Sequence, residues 1–279
     1  MKPNFDSIQP APASDSDSDS EVMPHQHRDA EFKRVWQRLS PRLARSAEQA
    51  RRHVTARAAD MACAPAPDGV AVRIAYDIGD AAVRPGEPLR IRLIDLPAGA
   101  RVELPVHADA DSAWLVLKGQ AHIDGEPCAT YDYQQRCAGE DRVELTTQDS
   151  ARLMVREARP SPREPGRPAT VRTTRAGQMG WQALADGVSR RLLAPPQLGA
   201  AAYLVRMEAG AAAPAHRHGH AEECLLLEGE MYLDDILLFS GDFQLAHAGG
   251  EHFEASSDQG VLLLVHGDLN LDVIEAGRR

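Results

Sequence analysis

Long apolar runs are missing from this chain. The longest, such as VLLLV at residues 261–265, are far too short to cross a bilayer. A basic start followed by an apolar stretch is also missing, so no secretory signal is expected. Cysteine is scarce. The four present (Cys63, Cys128, Cys137, Cys224) form no CxxC pair, which argues against a disulfide framework and a cysteine zinc site and predicts reduced thiols in a cytoplasmic protein. No phosphate-cradling glycine loop, GxSxG or Cys/His nucleophile pair occurs. Positive charge is thin in the second half, where 15 Asp/Glu face 6 Lys/Arg over residues 176–279. That half gains nothing from a phosphate backbone, so nucleic acid is not an expected partner.

What is there suffices for two domains with real cores: 279 residues, 43% of them hydrophobic. Residues 1–27 are rich in Pro, Ser and Asp, and their SDSDSDSE run predicts a disordered acidic tail. Over residues 28–62 a helical arm is expected. Phe32, Val35, Trp36 and Leu39 recur at helical spacing, followed by Leu43, Ala47, Ala50 and Val54. Pro41, with Ser40 before it as an N-cap, predicts two helices or one kinked there. Nine Arg/Lys from Arg28 to Arg57 give the arm a basic face. That face is either solvated, with the arm packed on the body or on a partner subunit of a homodimer, or a docking element for a protein partner or nucleic acid.

From about Gly69 onward short alternating or apolar runs (LRIRLIDL, AWLVLKG, AAYLVRM, CLLLEGEMYL) are separated by Gly, Pro, Asp and Asn, which predicts a mainly β fold of barrel or jelly-roll type. A Pro-rich break divides it, giving a first barrel over 69–158, a linker over 159–170 and a second barrel over 171–279. The halves repeat: YDYQQRCAGEDR from Tyr131 lies over GDFQLAHAGGEH from Gly241, an offset of 110.

The second copy carries the chemistry, in AHRHGHAEEC from Ala215. His216 and His218 are two apart, so on a strand they face the same side. Glu222 follows after a tight turn around Gly219, and His252 arrives thirty residues later, just before another strand. These four converge if the strands curve around one interior. Imidazole nitrogens and a carboxylate buried together are costly without a cation and well matched to a divalent one. Among the neighbours, His220 is read as an exposed turn residue, a swap ligand or a proton shuttle. Glu223 should point outward by alternation, Cys224 shares Glu222's face, and His247 should be solvated. Tyr203, Met207, Met231, Tyr232 and Phe243 are read as core, one or two of them lining a ligand cavity.

These spacings resemble the two motifs of the cupin superfamily. G-x5-H-x-H-x3-E-x6-G is met at Gly210, His216, His218, Glu222 and Gly229. G-x5-P-x-G-x2-H-x3-N is met at Gly241, Gly249 and His252, with His247 and Ser256 in place of the proline and asparagine. The sequence is most similar to the ChrR-type cupins, anti-sigma factors and related bicupins. The resemblance implies two tandem cupin barrels and metal ligands His216, His218, Glu222 and His252. It also implies one divalent metal per chain in the second barrel, zinc or iron first, manganese or nickel as alternatives. It further implies a regulatory module sensing a small ligand or oxidant, or else a mononuclear non-haem dioxygenase acting on a small oxygenated substrate. The anti-sigma zinc motif is incomplete, because only His53 and Cys63 lie in the arm.

The first copy departs from the pattern. Aligning Gly99 with Gly210 puts Pro105, His107 and Asp111 at the first three ligand positions and Arg142 at that of His252. A guanidinium stays protonated and is no ordinary ligand. Arg142 is expected to pair with Asp111 or Glu103, leaving the first barrel metal-free.

Overall fold

Runs such as VLLLV are apolar at every position, and a strand of that kind must bury both faces. The computed structural model describes residues 25–67, 69–79, 83–160, 171–197, 200–270 and 272–274, in two units that divide after Ala47. The smaller holds most of one α-helix, His25–Arg52, a single element with Pro41 inside it. Phe32, Val35, Trp36, Leu39 and Leu43 are exposed along it. Of the acidic tail expected over 1–27, residues 25–27 are helical and the rest lies outside the described residues; so do 161–170 of the linker. Among the described residues no helix is long and apolar enough to cross a membrane.

The helical arm expected to reach residue 62 stops ten residues earlier. After Arg52 the chain turns into the strands His53–Ala56 and Ala62–Ala64. Pairing of His53–Ala56 against Phe243–Ala246 decides the conformation, since tertiary context overrides weak helical periodicity.

The larger unit is two jelly-roll barrels. Their strands recur at the offset of 110: Glu126–Ala129 with Ile236–Phe239, Tyr133–Arg136 with Phe243–Ala246, and Ala151–Ala158 with Val261–Asp268. Backbone strain recurs with them. Asp124 (φ 48°) matches Asp234 (φ 52°), and Tyr131 (φ 69°) holds the left-handed turn that Gly241 (φ 91°) makes in the second copy.

The repeats also exchange their leading strands. His53–Ala56 joins the sheet of barrel 2, and Val171–Thr174 joins that of barrel 1 by pairing with Tyr133–Arg136. Residues 171–174, expected to open barrel 2, thus complete barrel 1. Equivalent latches hold both exchanges. Arg57 and the Ala58 amide donate to Asp242, each at 2.8 Å, and Arg175 and the Ala176 amide donate to Asp132, each at 2.9 Å.

Three apolar clusters follow from strand alternation. Trp114, Leu145, Leu153 and Val155 fill barrel 1, and Tyr203, Leu226, Leu263 and Val265 line barrel 2. The opposite faces of the same strands meet between the barrels, where Leu93, Leu115, Tyr133 and Met154 pack with Leu204, Leu225, Phe243 and Leu264. Arg156 of barrel 1 and Glu223 of barrel 2, both nearly inaccessible, form an ion pair at 2.7 Å at this interface. Glu223 does point away from its own barrel, but into the neighbouring one rather than into water.

Candidate metal centre

Alternation places the histidines. His216 and His218 are buried and Arg217 between them is exposed, tied to Glu251. His216 pairs across the ladder with His252, which brings the distant segment alongside. Glu222 opens the long strand Glu222–Leu233 with its side chain inside the barrel. Gly267 makes room for it, since a Cβ there would lie 2.9 Å from Glu222 Cγ.

Donor atoms of His216, His218 and Glu222 all lie within 4.8 Å of one another. His252 is outside that tight set but packs on it, its ring centre 5.6 Å from that of His216 and 4.9 Å from that of His218. The outer nitrogens are fixed. His216 Nδ1 donates to the Pro214 carbonyl at 2.8 Å and His252 Nδ1 to Asp234 at 3.1 Å, which leaves both Nε2 atoms available as donors to a cation. Asp234 also accepts the amides of Phe253 and Glu254. Burial alone would raise its pKa, but these bonds and the neighbouring His252 hold it below the usual carboxylate value. Among the described residues His218 has no hydrogen-bond partner on either ring nitrogen, although both are buried; the nearest carboxylate oxygen, Glu222 Oε2, lies 3.6 Å from its Nδ1. Burial lowers its pKa despite Glu222 nearby, keeping the ring neutral. A neutral, orphaned imidazole beside a buried carboxylate is costly as it stands and suits a divalent cation.

His220 turns away from this set. It is half-exposed and bonded to Asp268, which also accepts the Gly219 amide, so the loop between the ligand positions is pinned from outside. His247 is exposed, as expected. The Cys224 thiol lies 3.6 Å from Glu222 Oε1, and burial pushes its pKa well up, keeping it protonated. His216, Glu222 and His252 form one end of a cavity of about 360 Å³. Its walls are apolar, including Val188, Tyr203, Met207, Met231 and Leu263. Of the five residues read as core or cavity wall, Tyr203, Met207 and Met231 line this cavity, Phe243 lies between the barrels, and Tyr232 is partly exposed. The Tyr203 hydroxyl is spent on the Asp268 carbonyl at 2.8 Å.

Barrel 1 answers differently at the same place. Strand register puts Ser112, not Asp111, at the place of Glu222, because Ser112 pairs with Arg136 as Glu222 pairs with Ala246. His107 is exposed, and Arg142 reaches Glu103 at 3.8 Å, one of the two partners expected for it. Glu157, at the position of Gly267, is completely buried. Its carboxylate meets Arg90 at 2.8 Å, Arg92 at 3.1 Å and the His107 amide at 2.7 Å. Burial would raise its pKa, but the Arg90 hydrogen bond and the two guanidinium charges overcome this and hold it low. Guanidinium groups thus balance the buried carboxylate. Sequence reasoning missed Glu157, Gly267, Asp268 and Asp234; Asp234 alone had a signal, its recurrence as Asp124 in the repeat.

Comparisons agree with this geometry. Residues 170–269 match the family described as ChrR Cupin-like domain. Those residues take in most of the second barrel, which is thus similar to that family. The whole two-barrel body resembles solved cupin-fold structures at low identity, which shows the fold alone. A Pseudomonas aeruginosa protein described as glyoxylate-induced superposes with a TM-score of 0.61 at 14% identity, covering 81% of this chain and 92% of its own. Lactobacillus farciminis oxalate decarboxylase gives 0.59 at 12%, covering 80% and 88%. The nickel complex of the Escherichia coli pirin YhhW gives 0.56 at 12%, covering 77% and 98%. A comparison with curated proteins found no match. The ligand motif and most of the cavity lining fall within the matched residues. Barrel 1, outside the matched residues, has the same strand plan with the site rebuilt.

Proposed function

We propose that the chain is a metal-binding bicupin in which barrel 2 binds one divalent cation and a small molecule beside it, as a ligand- or oxidant-responsive regulatory module of ChrR type. His216, His218, Glu222 and His252 would hold the cation, with zinc or iron the first candidates and manganese or nickel the alternatives. Bound there, a cation supplies a Lewis acid with room for a further oxygen donor. The observation that carries this reading is the convergence of buried donor atoms, with His218 lacking a hydrogen bond among the described residues, beside an apolar cavity that His216, Glu222 and His252 line. The chain's own residues set what can enter. Arg190, the one cation lining the cavity among the described residues, is tied to the Leu269 carbonyl. The walls favour a largely apolar molecule that presents an oxygen to the metal over a small, strongly hydrated dianion such as oxalate.

The exposed apolar residues of the helix His25–Arg52, together with its basic face, support a protein partner for the arm, within a homodimer. The test is equilibrium binding of apolar β-diketones and of oxalate to the metal-loaded protein, followed calorimetrically. Uptake of the diketone alone is expected; preferential uptake of oxalate would contradict the reading. A second reading, a mononuclear dioxygenase, is favoured by the cavity's meeting the ligand set directly. Oxygen consumption with a bound diketone or flavonol would establish it, and its absence with iron-loaded protein would leave the regulatory role.

A further inference from the structure

The strand exchange sets up an internal control. His53 and Val171 open the two exchanged strands and occupy equivalent places, since His53 pairs with Ala246 and Val171 with Arg136, partners related by the repeat offset. Val171 is exposed. His53 is partly buried, and its ring lies parallel to that of His252, with centres 4.9 Å apart and planes 11° from parallel. Its Nε2 is buried and has no hydrogen-bond partner among the described residues. Ala246, the partner of His53 on the ladder, pairs on its other side with Glu222. The histidine therefore occurs at this place in the barrel that has the ligand set, and not in the barrel where Arg142 replaces His252.

We infer that His53 is a positioning residue of the metal centre, supplied by the N-terminal strand, so that cation affinity and the seating of His53–Ala56 are linked. This rests on the metal site proposed above. A ligating imidazole must be fixed both along its edge and in its plane. Asp234 holds the edge of His252 through Nδ1, and the His53 ring covers its face. Lifting the strand would uncover that face and free the ring to turn. The linkage is reciprocal, so a cation that orders His252 must also hold the strand down. The strand follows directly from the helix His25–Arg52. The Arg52 carbonyl accepts the His247 amide at 2.8 Å, and the Arg52 guanidinium donates to the Gly249 carbonyl at 2.8 Å. Both contacts lie between Ala246 and His252, so the end of the helix is fastened to the segment that carries the fourth ligand position.

The test is Co²⁺ binding to the full-length protein against a competing chelator, read by the visible spectrum of the bound ion and by amide exchange over residues 53–58. Loss of an outer-shell partner costs about tenfold or more in metal affinity, so His53→Ala should bind about tenfold more weakly and with an altered spectrum, while His53→Phe, which keeps the stack, should stay within about threefold of wild type. Val171→Ala should change neither. Cobalt should slow exchange over 53–58 in wild type, and less so in His53→Ala. Wild-type affinity and spectrum in His53→Ala would overturn the inference, as would a His53→Phe variant as weak as His53→Ala. A wild-type protein that binds no cobalt would instead overturn the metal site itself.

Discussion

Barrels 1 and 2 share a strand plan and differ in what occupies it. Trp114, with no exposed surface, stands in barrel 1 where Cys224 stands in barrel 2; each pairs with the matching glutamine, Gln134 or Gln244. The indole fills the space that barrel 2 keeps as its cavity. At the polar end, barrel 1 has a carboxylate on the strand Ala151–Ala158 and guanidinium groups to balance it. Barrel 2 has a glycine at that place, and its carboxylate, Glu222 on the neighbouring strand, stands among imidazole nitrogens rather than guanidinium groups. The lesson is that a buried carboxylate at this end of the fold needs a positive partner. Evolution of the repeat has met that need by covalent arginine in one copy and, on our reading, by a bound metal in the other.

Several experiments can break this comparison. The largest effect is expected from replacing His216 and His218 together by Ala, which should remove the metal entirely, whereas His107→Ala should leave it in place; elemental analysis distinguishes the two. Next comes Glu157→Gln. Breaking a buried ion pair costs about 3–5 kcal/mol, so unfolding in denaturant at neutral pH should show a loss of that order with metal content unchanged. Folding lowers the Glu157 pKa, so the pair adds stability above the ordinary carboxylate range and loses it as pH falls through the folded value. Wild type should therefore lose more stability than Glu157→Gln between about pH 5 and pH 3. A smaller effect is expected from Asp234→Ala, which should weaken metal binding by about 10–100-fold, while its counterpart Asp124→Ala should not change it. Smallest of all is Arg142→Ala, which removes an exposed pair and should shift stability by less than about 1 kcal/mol.

The β architecture, the repeat and the convergence of His216, His218 and Glu222 were legible in the sequence, because strand alternation and glycine spacing are local signals. The strand exchange was not. Residues 53–56 read as the tail of a helix, and only their partner 190 residues away, Phe243–Ala246, makes them a strand. The shared T-x-R-A of residues 55–58 and 173–176 could have exposed it, since both copies place Arg and Ala on an aspartate. Aligning Gly99 with Gly210 uses an offset of 111 and places Asp111 over Glu222, whereas the strand register keeps the offset of 110 and gives that place to Ser112; a one-residue slip sends a side chain to the opposite face. Glu157 could not have been recognised. Its role depends on Arg90 and Arg92, far off in sequence and paired only by the fold.

The most direct test of the account is elemental analysis of freshly purified full-length protein. About one divalent metal ion per chain is predicted, lost when His216 and His218 are replaced. Two ions per chain, or retention of the metal in that double variant, would contradict the contrast between the barrels.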